Sequence, residues 1–277
     1  MPIVHAIVLG IVQGLSEFLP ISSSGHLIVV PELMQWDDFS GNKSLEKTFD
    51  VALHIGTFFG AAWYFRRDLA RYIAAALRSV RERAITTTDE RMAWLLLLSA
   101  VPGAIVGAVL SSTIEKHLGD PILIGVMLIV FGLVLLWADR RAGRRHEDEF
   151  QTRDATLMGF AQAVALQPGV SRSGVTITMG RALGFRREDA TRISFLMSLP
   201  IIAGAGLFKA AKVVSDGGIP SGFVAPFIWG MLAAGVSGWI AVAGLLRYLR
   251  TRSFTPFVVY RVALGIALII VFSTGLR

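Results

Sequence analysis

Three types of side chain that can support hydrolysis lie close together near the start of the chain. Gln13 and Glu17 are four residues apart and would share one face of a helix. Pro20 then interrupts the segment, and three consecutive hydroxyls precede His26: Ser22, Ser23 and Ser24. A serine becomes a nucleophile when a neighbouring base takes its proton, and an imidazole is such a base. Because all three hydroxyls lie within sequence reach of His26, the spacing alone does not choose among them.

A second segment, in the other half of the chain, combines one permanent positive charge with hydroxyl groups. Arg172 stands between Ser171 and Ser173, and Thr176 follows one helical turn later. If Ser171 opens the helix that follows, the first-turn amides point the same way as the guanidinium. A helix N-terminus, a planar donor fork and hydroxyl donors together favour a phosphate ligand. The segment lacks the GxxxxGK[ST] pattern, so it is not a nucleotide-binding P-loop.

The two segments follow one skeleton with identical spacing. The first skeleton consists of Gly10, Gln13, Ser22, Ser24 and Gly25. The second consists of Gly159, Gln162, Ser171, Ser173 and Gly174. Each segment also contains a proline, and polar breaks of this kind in an apolar chain are typical of a site built within the bilayer from two related repeats. We therefore predict a single membrane domain, 1–277, with repeat one at 1–150 and repeat two at 151–277.

The composition indicates an integral membrane protein. Hydrophobic residues make up 53% of the chain, charged residues 17%, and the mean hydropathy is +0.60. Six apolar runs approach the roughly 20 residues that a helix needs to cross a bilayer. These runs are Phe49–Phe65, Met92–Leu110, Pro121–Ala138, Ile193–Ala211, Phe223–Leu246 and Pro256–Thr274. Alternation with a period of two is missing, which favours helices over a β-barrel. The chain has no cysteine, which excludes disulfides and thiolate chemistry.

The net charge of +7 is concentrated in connectors between the apolar runs. The arginine-rich connectors are Arg66–Arg91, Arg140–Arg153, Arg181–Arg192 and Arg247–Arg252. The lysines of the remaining connectors are Lys43, Lys47, Lys116, Lys209 and Lys212. Basic connectors face the cytoplasm, so the charge indicates orientation and contact with anionic lipids, and no nucleic-acid partner is expected.

This charge pattern also predicts a topology. If Ile3–Gln35 and Ala155–Gly184 each enter the membrane and return to the same side, three spans follow each hairpin and the arginine-rich connectors share one side. An odd number of spans inverts the second repeat, so the two polar hairpin tips meet near the membrane centre. The predicted fold is an all-α integral membrane protein with two inverted-topology repeats, each a re-entrant helical hairpin followed by three transmembrane helices. The first hairpin enters from the outer face, which predicts an active site open to the periplasmic side.

Each candidate residue also has a structural interpretation. Serines in membrane helices often bond a carbonyl one turn back. Charges inside the membrane are costly, which favours a functional role for Glu17 and Arg172. His54 is expected either to line the cavity or to pack, whereas Arg261 is expected to snorkel or to pair structurally. Two acidic residues near the outer surface are expected to be solvated, namely Glu46 and Asp50.

The segments QGLSEFLPISSSGH, at 13–26, and PGVSRSGVT, at 168–176, resemble the two signature motifs of the bacterial undecaprenyl-pyrophosphate phosphatases, also called the bacitracin-resistance family. The resemblance in length, number of spans and motif order extends over essentially the whole chain. It implies a multi-pass enzyme of the bacterial plasma membrane that removes the terminal phosphate from a C55 polyprenyl pyrophosphate. The product, undecaprenyl phosphate, would return as the lipid carrier of peptidoglycan precursors in cell-wall synthesis.

The resemblance also implies roles for individual residues. The catalytic set would be Glu17, Ser23, His26 and Arg172. The substrate-binding set would be Gln13, Ser22, Ser24, Ser171, Ser173 and Thr176. A Mg²⁺ or Ca²⁺ cofactor is implied by the pyrophosphate and the carboxylate, with Glu17 as its protein ligand, since hard cations prefer oxygen. Gln13 cannot supply the negative charge that a glutamate would have at its position.

Two mechanisms and one rival function stay open at the level of sequence. Either Ser23 attacks the terminal phosphorus, with His26 receiving its proton and a phosphoserine forming, or His26 activates water directly. A secondary transporter or flippase of a phosphorylated lipid or other anion would also use broken helices and a polar site in the membrane. The serine triplet favours the enzyme, because a carrier needs no nucleophile. The expected partners are the polyprenyl pyrophosphate and membrane lipids, and the oligomeric state is open, with a homodimer as one alternative.

Overall fold

The structure is a computed structural model that describes residues 1–117, 119–215 and 218–274, apart from the side chains of 110–117 and 214. Lys116, one of the lysines used to predict the topology, therefore has its side chain outside the described residues. The described residues form eleven α-helices, which confirms the all-α prediction. They are α1 (Ile3–Phe18), α2 (Ser23–Met34), α3 (Lys43–Tyr64), α4 (Arg66–Glu82), α5 (Thr88–His117), α6 (Pro121–Asp139), α7 (Thr152–Val164), α8 (Arg172–Ala182), α9 (Arg187–Ser215), α10 (Val224–Leu249) and α11 (Thr255–Thr274).

Five segments of the described chain are long and apolar enough to cross a membrane. They are Thr88–Val109, Pro121–Asp139, Arg187–Val213, Ser221–Leu249 and Thr255–Thr274, and they cover five of the six predicted runs. The protein is therefore a multi-pass membrane protein. The sixth run, Phe49–Phe65, lies mostly in α3, whose first half carries four charged residues between Lys43 and Asp50. A sixth span at α3 stays a prediction.

Two pairs of short helices contain the two sequence motifs. The helices α1, α2, α7 and α8 have 16, 12, 13 and 11 residues, fewer than the roughly 20 that a span needs. Helix α1 packs against α2, and α7 packs against α8. The first pair is broken around Pro20 and the second around Pro168, as the sequence predicted. Each motif therefore lies where one short helix ends and the next begins.

Each short helix pair packs against a long helix from the other half of the chain. Helix α1 lies along α10, and α7 lies along α5. These helices approach closely at two skeleton glycines. A Cβ added at Gly10 would collide with the carbonyl of Gly230, and one at Gly159 would come within 2.7 Å of the carbonyl oxygen of Ser99. Small residues allow such backbone approach in membrane helices, which explains the first position of the skeleton.

The connector Arg66–Arg91, interpreted from the sequence only as a basic connector, is largely helical. Helix α4 occupies Arg66–Glu82, and its Tyr72 and Ala75 are buried. Its packing partner is α5. Apolar residues spaced by about one turn give this helix one buried face. The pattern was not recognised in the sequence because charged residues predominate in this segment.

Candidate active site

The second helix of each pair begins at a serine with an unusual backbone conformation. Ser22 precedes α2 with φ of 76°, and Ser171 precedes α8 with φ of 71°. A positive φ is uncommon for residues other than glycine. Each serine caps its helix, because its Oγ accepts from the backbone N–H of Gly25 at 3.4 Å or of Gly174 at 3.1 Å. The predicted opening of a helix at Ser171 is confirmed.

Two hydrogen bonds connect the tips of the two helix pairs directly. The backbone N–H of Gly169 donates to Oγ of Ser22 at 3.1 Å. In the other direction, Oγ of Ser173 donates to the carbonyl of Leu19 at 3.1 Å. The two motifs, about 150 residues apart in the chain, are therefore in direct contact. The position of this contact near the membrane centre stays a prediction.

Arg261 of α11 is completely buried and forms hydrogen bonds with the tips of both helix pairs. Its guanidinium donates to the carbonyls of Pro20 at 3.1 Å, Gly169 at 3.0 Å and Val170 at 3.0 Å. It also donates to the carbonyl of Leu128 in α6 at 3.1 Å. Arg261 therefore has the structural role that was one of the two expectations, and it does not snorkel toward the membrane surface. It satisfies carbonyls that the broken helices leave without partners.

The carboxylate of Glu17 lies at the centre of the site and is only 5% exposed. Its Oε1 accepts from Nη2 and Nε of Arg172 at 3.1 and 3.3 Å. Its Oε2 accepts from Oγ of Ser23 at 2.7 Å and from Nε2 of Gln13 at 3.0 Å. Nε2 of His54 lies 3.4 Å from the same oxygen. The acid and the hydroxyl of the first motif thus meet the guanidinium of the second.

A cavity of about 290 Å³ opens onto this centre. Its polar wall comes from Glu17, Ser23, Ser24, His54, Gln162, Ser171 and Arg172. Its apolar wall comes mainly from α9 and the end of α7, with Ile201, Ile202, Ala205 and Leu166 among the lining residues. Arg172 is the first residue of α8, so the positive end of that helix faces the cavity together with its guanidinium. This combination suits a phosphate group attached to an apolar chain.

The imidazole of His26 forms hydrogen bonds with Ser22 and Tyr260, and not with the hydroxyl of Ser23. Its Nδ1 lies 2.7 Å from the carbonyl oxygen of Ser22, which can only accept, so Nδ1 carries a proton. Its Nε2 lies 2.6 Å from the hydroxyl of Tyr260 in α11 and accepts from it. The hydroxyl of Ser23 donates to Glu17 instead. In this structure Glu17, and not His26, therefore occupies the position of a proton acceptor for Ser23.

The residues expected to bind substrate divide into two groups. Ser24 and Ser171 line the cavity. The others lie outside its lining and support the backbone or neighbouring side chains, namely Gln13, Ser22, Ser173 and Thr176. Thr176, for example, is completely buried and shares a 2.6 Å hydrogen bond with Ser194.

Of the two expectations for His54, the structure confirms that this residue lines the cavity. Its Nδ1 donates to the carbonyl of Asp50 at 2.8 Å, which leaves Nε2 facing the Glu17 carboxylate. His54 therefore places a ring nitrogen 3.4 Å from Oε2 of Glu17, at the polar wall of the cavity. The only sequence signal was an ionisable residue in an apolar run, which fits packing equally well.

The donors of the site do not fit a resident metal ion. Among the described residues, no group of three or more His, Cys, Asp or Glu side chains could hold one. Glu17 is the one carboxylate that lines the cavity, and both of its oxygens already accept from other side chains. A hard cation needs six or more oxygen ligands in the case of Ca²⁺, or near-octahedral oxygens in the case of Mg²⁺.

Comparison with known proteins identifies the family of the chain. The family model for the bacitracin resistance protein BacA matches residues 6–267. An undecaprenyl-diphosphatase from Geobacter sulfurreducens is 48% identical over 267 residues, which is 96% of each chain. An undecaprenyl-diphosphatase from Pelobacter propionicus is 46% identical over 278 residues, covering 100% of this chain and 99% of the relative. These matches confirm the resemblance of the two motifs, and the chain belongs to the bacitracin resistance protein BacA family.

Proposed function

We propose that this protein is an undecaprenyl-pyrophosphate phosphatase, which releases inorganic phosphate from the C55 polyprenyl pyrophosphate and regenerates undecaprenyl phosphate for cell-wall synthesis. The observation that carries the proposal is the convergence of Ser23, Glu17 and Arg172 at one partly apolar cavity. Membership of the BacA family over 6–267 gives independent support. The reaction is the hydrolysis of a phosphoric anhydride, and the substrate is a membrane lipid.

Substrate binding is assigned to Arg172 and the start of α8. The guanidinium forms a two-point contact with Glu17, and a pyrophosphate offers the same planar geometry with more negative charge. Arg172 would therefore transfer from Glu17 to the phosphate oxygens when substrate enters. It would also stabilise the charge that develops on the leaving group in the transition state.

The nucleophile is assigned to Ser23 and its proton acceptor to Glu17. As Oγ of Ser23 bonds to the terminal phosphorus, its proton passes to the Glu17 carboxylate 2.7 Å away. The bond between that phosphorus and the bridging oxygen breaks, and undecaprenyl phosphate leaves. Water then attacks the phosphorus of the phosphoserine, and the bond between phosphorus and Oγ breaks. Glu17 returns its proton to Oγ of Ser23, and the oxygen and both protons of the water leave with the inorganic phosphate. When Arg172 binds the phosphate, Oε1 of Glu17 loses its two hydrogen bonds from that guanidinium.

In this proposal His26 is a positioning residue. Direct attack by water is the second mechanism. The imidazole connects the first turn of α2 to α11 through Ser22 and Tyr260, which supports a fixed position for Ser23 in the same turn. In the second mechanism His26 activates water and Ser23 only donates a hydrogen bond. Replacement of Ser23 separates the two.

The membrane arrangement is proposed to be two inverted repeats, 1–150 and 151–277, each beginning with a re-entrant hairpin. The shared spacing of the skeleton supports it, as do the matching serine caps and the reciprocal packing of α1 on α10 and α7 on α5. The site is proposed to open to the outer face of the plasma membrane. The arginine-rich connectors would then lie on the opposite, cytoplasmic side. A homodimer stays a prediction.

A divalent cation is proposed to arrive with the substrate. Pyrophosphate supplies oxygen ligands for Mg²⁺ or Ca²⁺, and water completes the shell. Glu17 could add one oxygen after Arg172 has moved to the phosphate. Its present hydrogen bonds support no metal site before substrate binds.

The test is phosphate release from undecaprenyl pyrophosphate by the purified full chain, with magnesium or with a chelator. Ser23→Ala is compared with Ser24→Ala, which removes a neighbouring hydroxyl from the same cavity. We expect release by the wild type and by Ser24→Ala, and a loss of at least about a thousandfold for Ser23→Ala. Substantial turnover by Ser23→Ala would favour direct attack by water. No release by folded wild type would refute the enzyme and favour the lipid carrier.

A further inference from the structure

A second concave site lies on the side of the molecule that carries the arginine-rich connectors. Its volume is about 690 Å³, and it is formed where α6 ends, where α8 leads into α9, and where α10 ends. Seven arginines line it, namely Arg140, Arg141, Arg144, Arg181, Arg186, Arg187 and Arg250. The carboxylates in its lining are Asp139 and Glu188. The cavity therefore has a large excess of positive charge.

The acidic residues of this cavity are already paired. Asp139 accepts from Nε of Arg187 at 2.6 Å, and Glu188 accepts from Nε of Arg250 at 3.2 Å. Arg186 is paired outside the cavity lining, with Asp189 at 2.8 Å. These pairs leave Arg140, Arg141 and Arg144 without a carboxylate partner in the described part of the chain, whereas Arg181 shares Asp139 with Arg187.

Three exposed guanidinium groups remain uncompensated. Arg140 and Arg144 form no ion pair with any residue in the described part of the chain. Arg141 lies over the ring of Trp137, with 3.9 Å between its guanidinium carbon and the ring centre. Like charges crowded in one concave surface repel one another, so an anion that binds between them is stabilised.

Arg181 adds a buried donor to the same cavity. Its side chain is only 4% exposed, and its Nη groups donate to the backbone carbonyls of Phe185, Asp139 and Arg141. Its Nε has no hydrogen-bond acceptor among the described residues, although the carboxylate of Asp139 lies 3.7 Å away. Arg181 therefore adds a buried positive charge to the wall of the cavity, and the carboxylate 3.7 Å from its Nε is shared with Arg187.

The position of the cavity favours a lipid as the source of that anion. Trp137 is half exposed near the end of the membrane-spanning α6 and lies against Arg141. Tryptophan is enriched at the level of lipid headgroups. The preceding turn of α6 exposes Leu133 and Val134, against which acyl chains can lie. Basic pockets between transmembrane helices bind phosphate-bearing headgroups, and arginine forks match phosphate oxygens.

We propose that this arginine cavity binds the phosphate of an anionic lipid headgroup in the leaflet next to the arginine-rich connectors. The site is separate from the catalytic cavity. Arg172 begins α8 and Arg181 lies near its other end, roughly 14 Å further along the helix axis. The inference goes beyond the proposed phosphatase activity and does not depend on it.

The test uses the purified full chain in detergent, titrated with phosphatidylglycerol or phosphatidylcholine and observed by native mass spectrometry. The cavity variant is Arg140→Gln/Arg141→Gln/Arg144→Gln. Its matched control, Arg67→Gln/Arg81→Gln/Arg153→Gln, removes three exposed arginines outside the cavity. We expect one phosphatidylglycerol to be retained by wild type and control, and binding roughly a hundredfold weaker in the cavity variant. Phosphatidylcholine is expected not to be retained.

A wild-type thermal unfolding midpoint in detergent, unchanged in both triple variants, verifies folding. If the triple cavity variant fails to fold, Arg144→Gln alone is used, with an expected weakening of roughly fivefold. Equal loss of phosphatidylglycerol in both triple variants would overturn the proposal, because general surface charge would then explain binding. Equal retention of phosphatidylcholine would overturn it as well. Inorganic phosphate that binds the cavity while phosphatidylglycerol is not retained would overturn the lipid as the source of the anion.

Discussion

The two helix pairs, α1–α2 and α7–α8, share a backbone design and differ in chemistry. Ser22 and Ser171 both cap the second helix at a positive φ. The hydroxyls that follow lie at matching distances, 3.4 Å from Ser22 to Ser24 and 3.3 Å from Ser171 to Ser173. At the position between each serine pair, however, the first motif has Ser23 and the second has Arg172.

The difference extends to two further matched positions. Glu17 corresponds to Leu166, and His26 corresponds to Val175. One helix pair therefore carries the acid and the hydroxyl, and the other carries the guanidinium. The ion pair between Glu17 and Arg172 forms only across the two pairs. The duplicated backbone supplies the positions, and side-chain divergence at a few of them supplies the chemistry.

The largest effect is expected from removing the charge of the second pair. Arg172→Ala should lower phosphate release by roughly 10³- to 10⁵-fold, because an arginine that stabilises a phosphoryl transition state contributes that much. Arg153→Ala, on the exposed start of α7, is the matched control and should keep wild-type activity. If Arg172→Ala is active, the second helix pair does not contribute the catalytic charge, and the division of chemistry between the two pairs is wrong.

A somewhat smaller effect is expected from the acid of the first pair. Glu17→Gln keeps the shape of the side chain but cannot accept the proton of Ser23, so turnover should fall by roughly 10²- to 10⁴-fold. The control is Glu46→Gln, at an exposed position near the start of α3. The measurement is the turnover number at saturating substrate. If Glu17→Gln retains most of its turnover, His26 again becomes the preferred proton acceptor.

Stability, more than chemistry, should depend on the arginine that holds both tips. Arg261→Met leaves buried carbonyls of both helix pairs without a donor, which should lower the free energy of unfolding by roughly 3 kcal/mol or more. Thermal unfolding in detergent measures the loss. Arg261→Lys keeps the charge and some of the hydrogen bonds, so its midpoint should lie between those of Arg261→Met and wild type. A wild-type midpoint for Arg261→Met would show that the tips hold each other without α11.

The smallest effect is expected at the histidine of the first pair. Tyr260→Phe removes the hydroxyl that donates to Nε2 of His26. The loss of one such hydrogen bond is worth about 1 kcal/mol, or roughly a fivefold change in turnover. Tyr248→Phe, at the end of α10, is the control. A loss in Tyr260→Phe as large as that of Glu17→Gln, with a shifted pH profile, would give His26 a role in proton transfer.

Much of the fold could be predicted because apolar runs and their interruptions are local properties. Five predicted runs match membrane-length helices, and the breaks around Pro20 and Pro168 separate short helices. The cap at Ser171 was also considered from the sequence, since a cap acts within three residues, whereas the matching cap at Ser22 was not. Helix α4 was hidden by its charge.

The partners inside the site were less predictable, because they are distant in sequence. Tyr260 lies 234 residues from His26, and Arg261 lies 241 residues from Pro20. Sequence proximity favoured His26 as the partner of Ser23, but the carboxylate of Glu17 accepts from that hydroxyl. His54 also had no distinguishing pattern.

The sequence by itself determined the membrane class, the family, the positions of the helix breaks and the side chains gathered at each motif. These follow from the apolar character of the chain, from proline and glycine, and from residue types at fixed spacing. Only the tertiary structure decided which donor meets which acceptor. The reason is that Glu17, Arg172 and Arg261 obtain their partners through the packing of separate helices. A buried charge is stabilised by whichever polar groups that packing brings within hydrogen-bond distance.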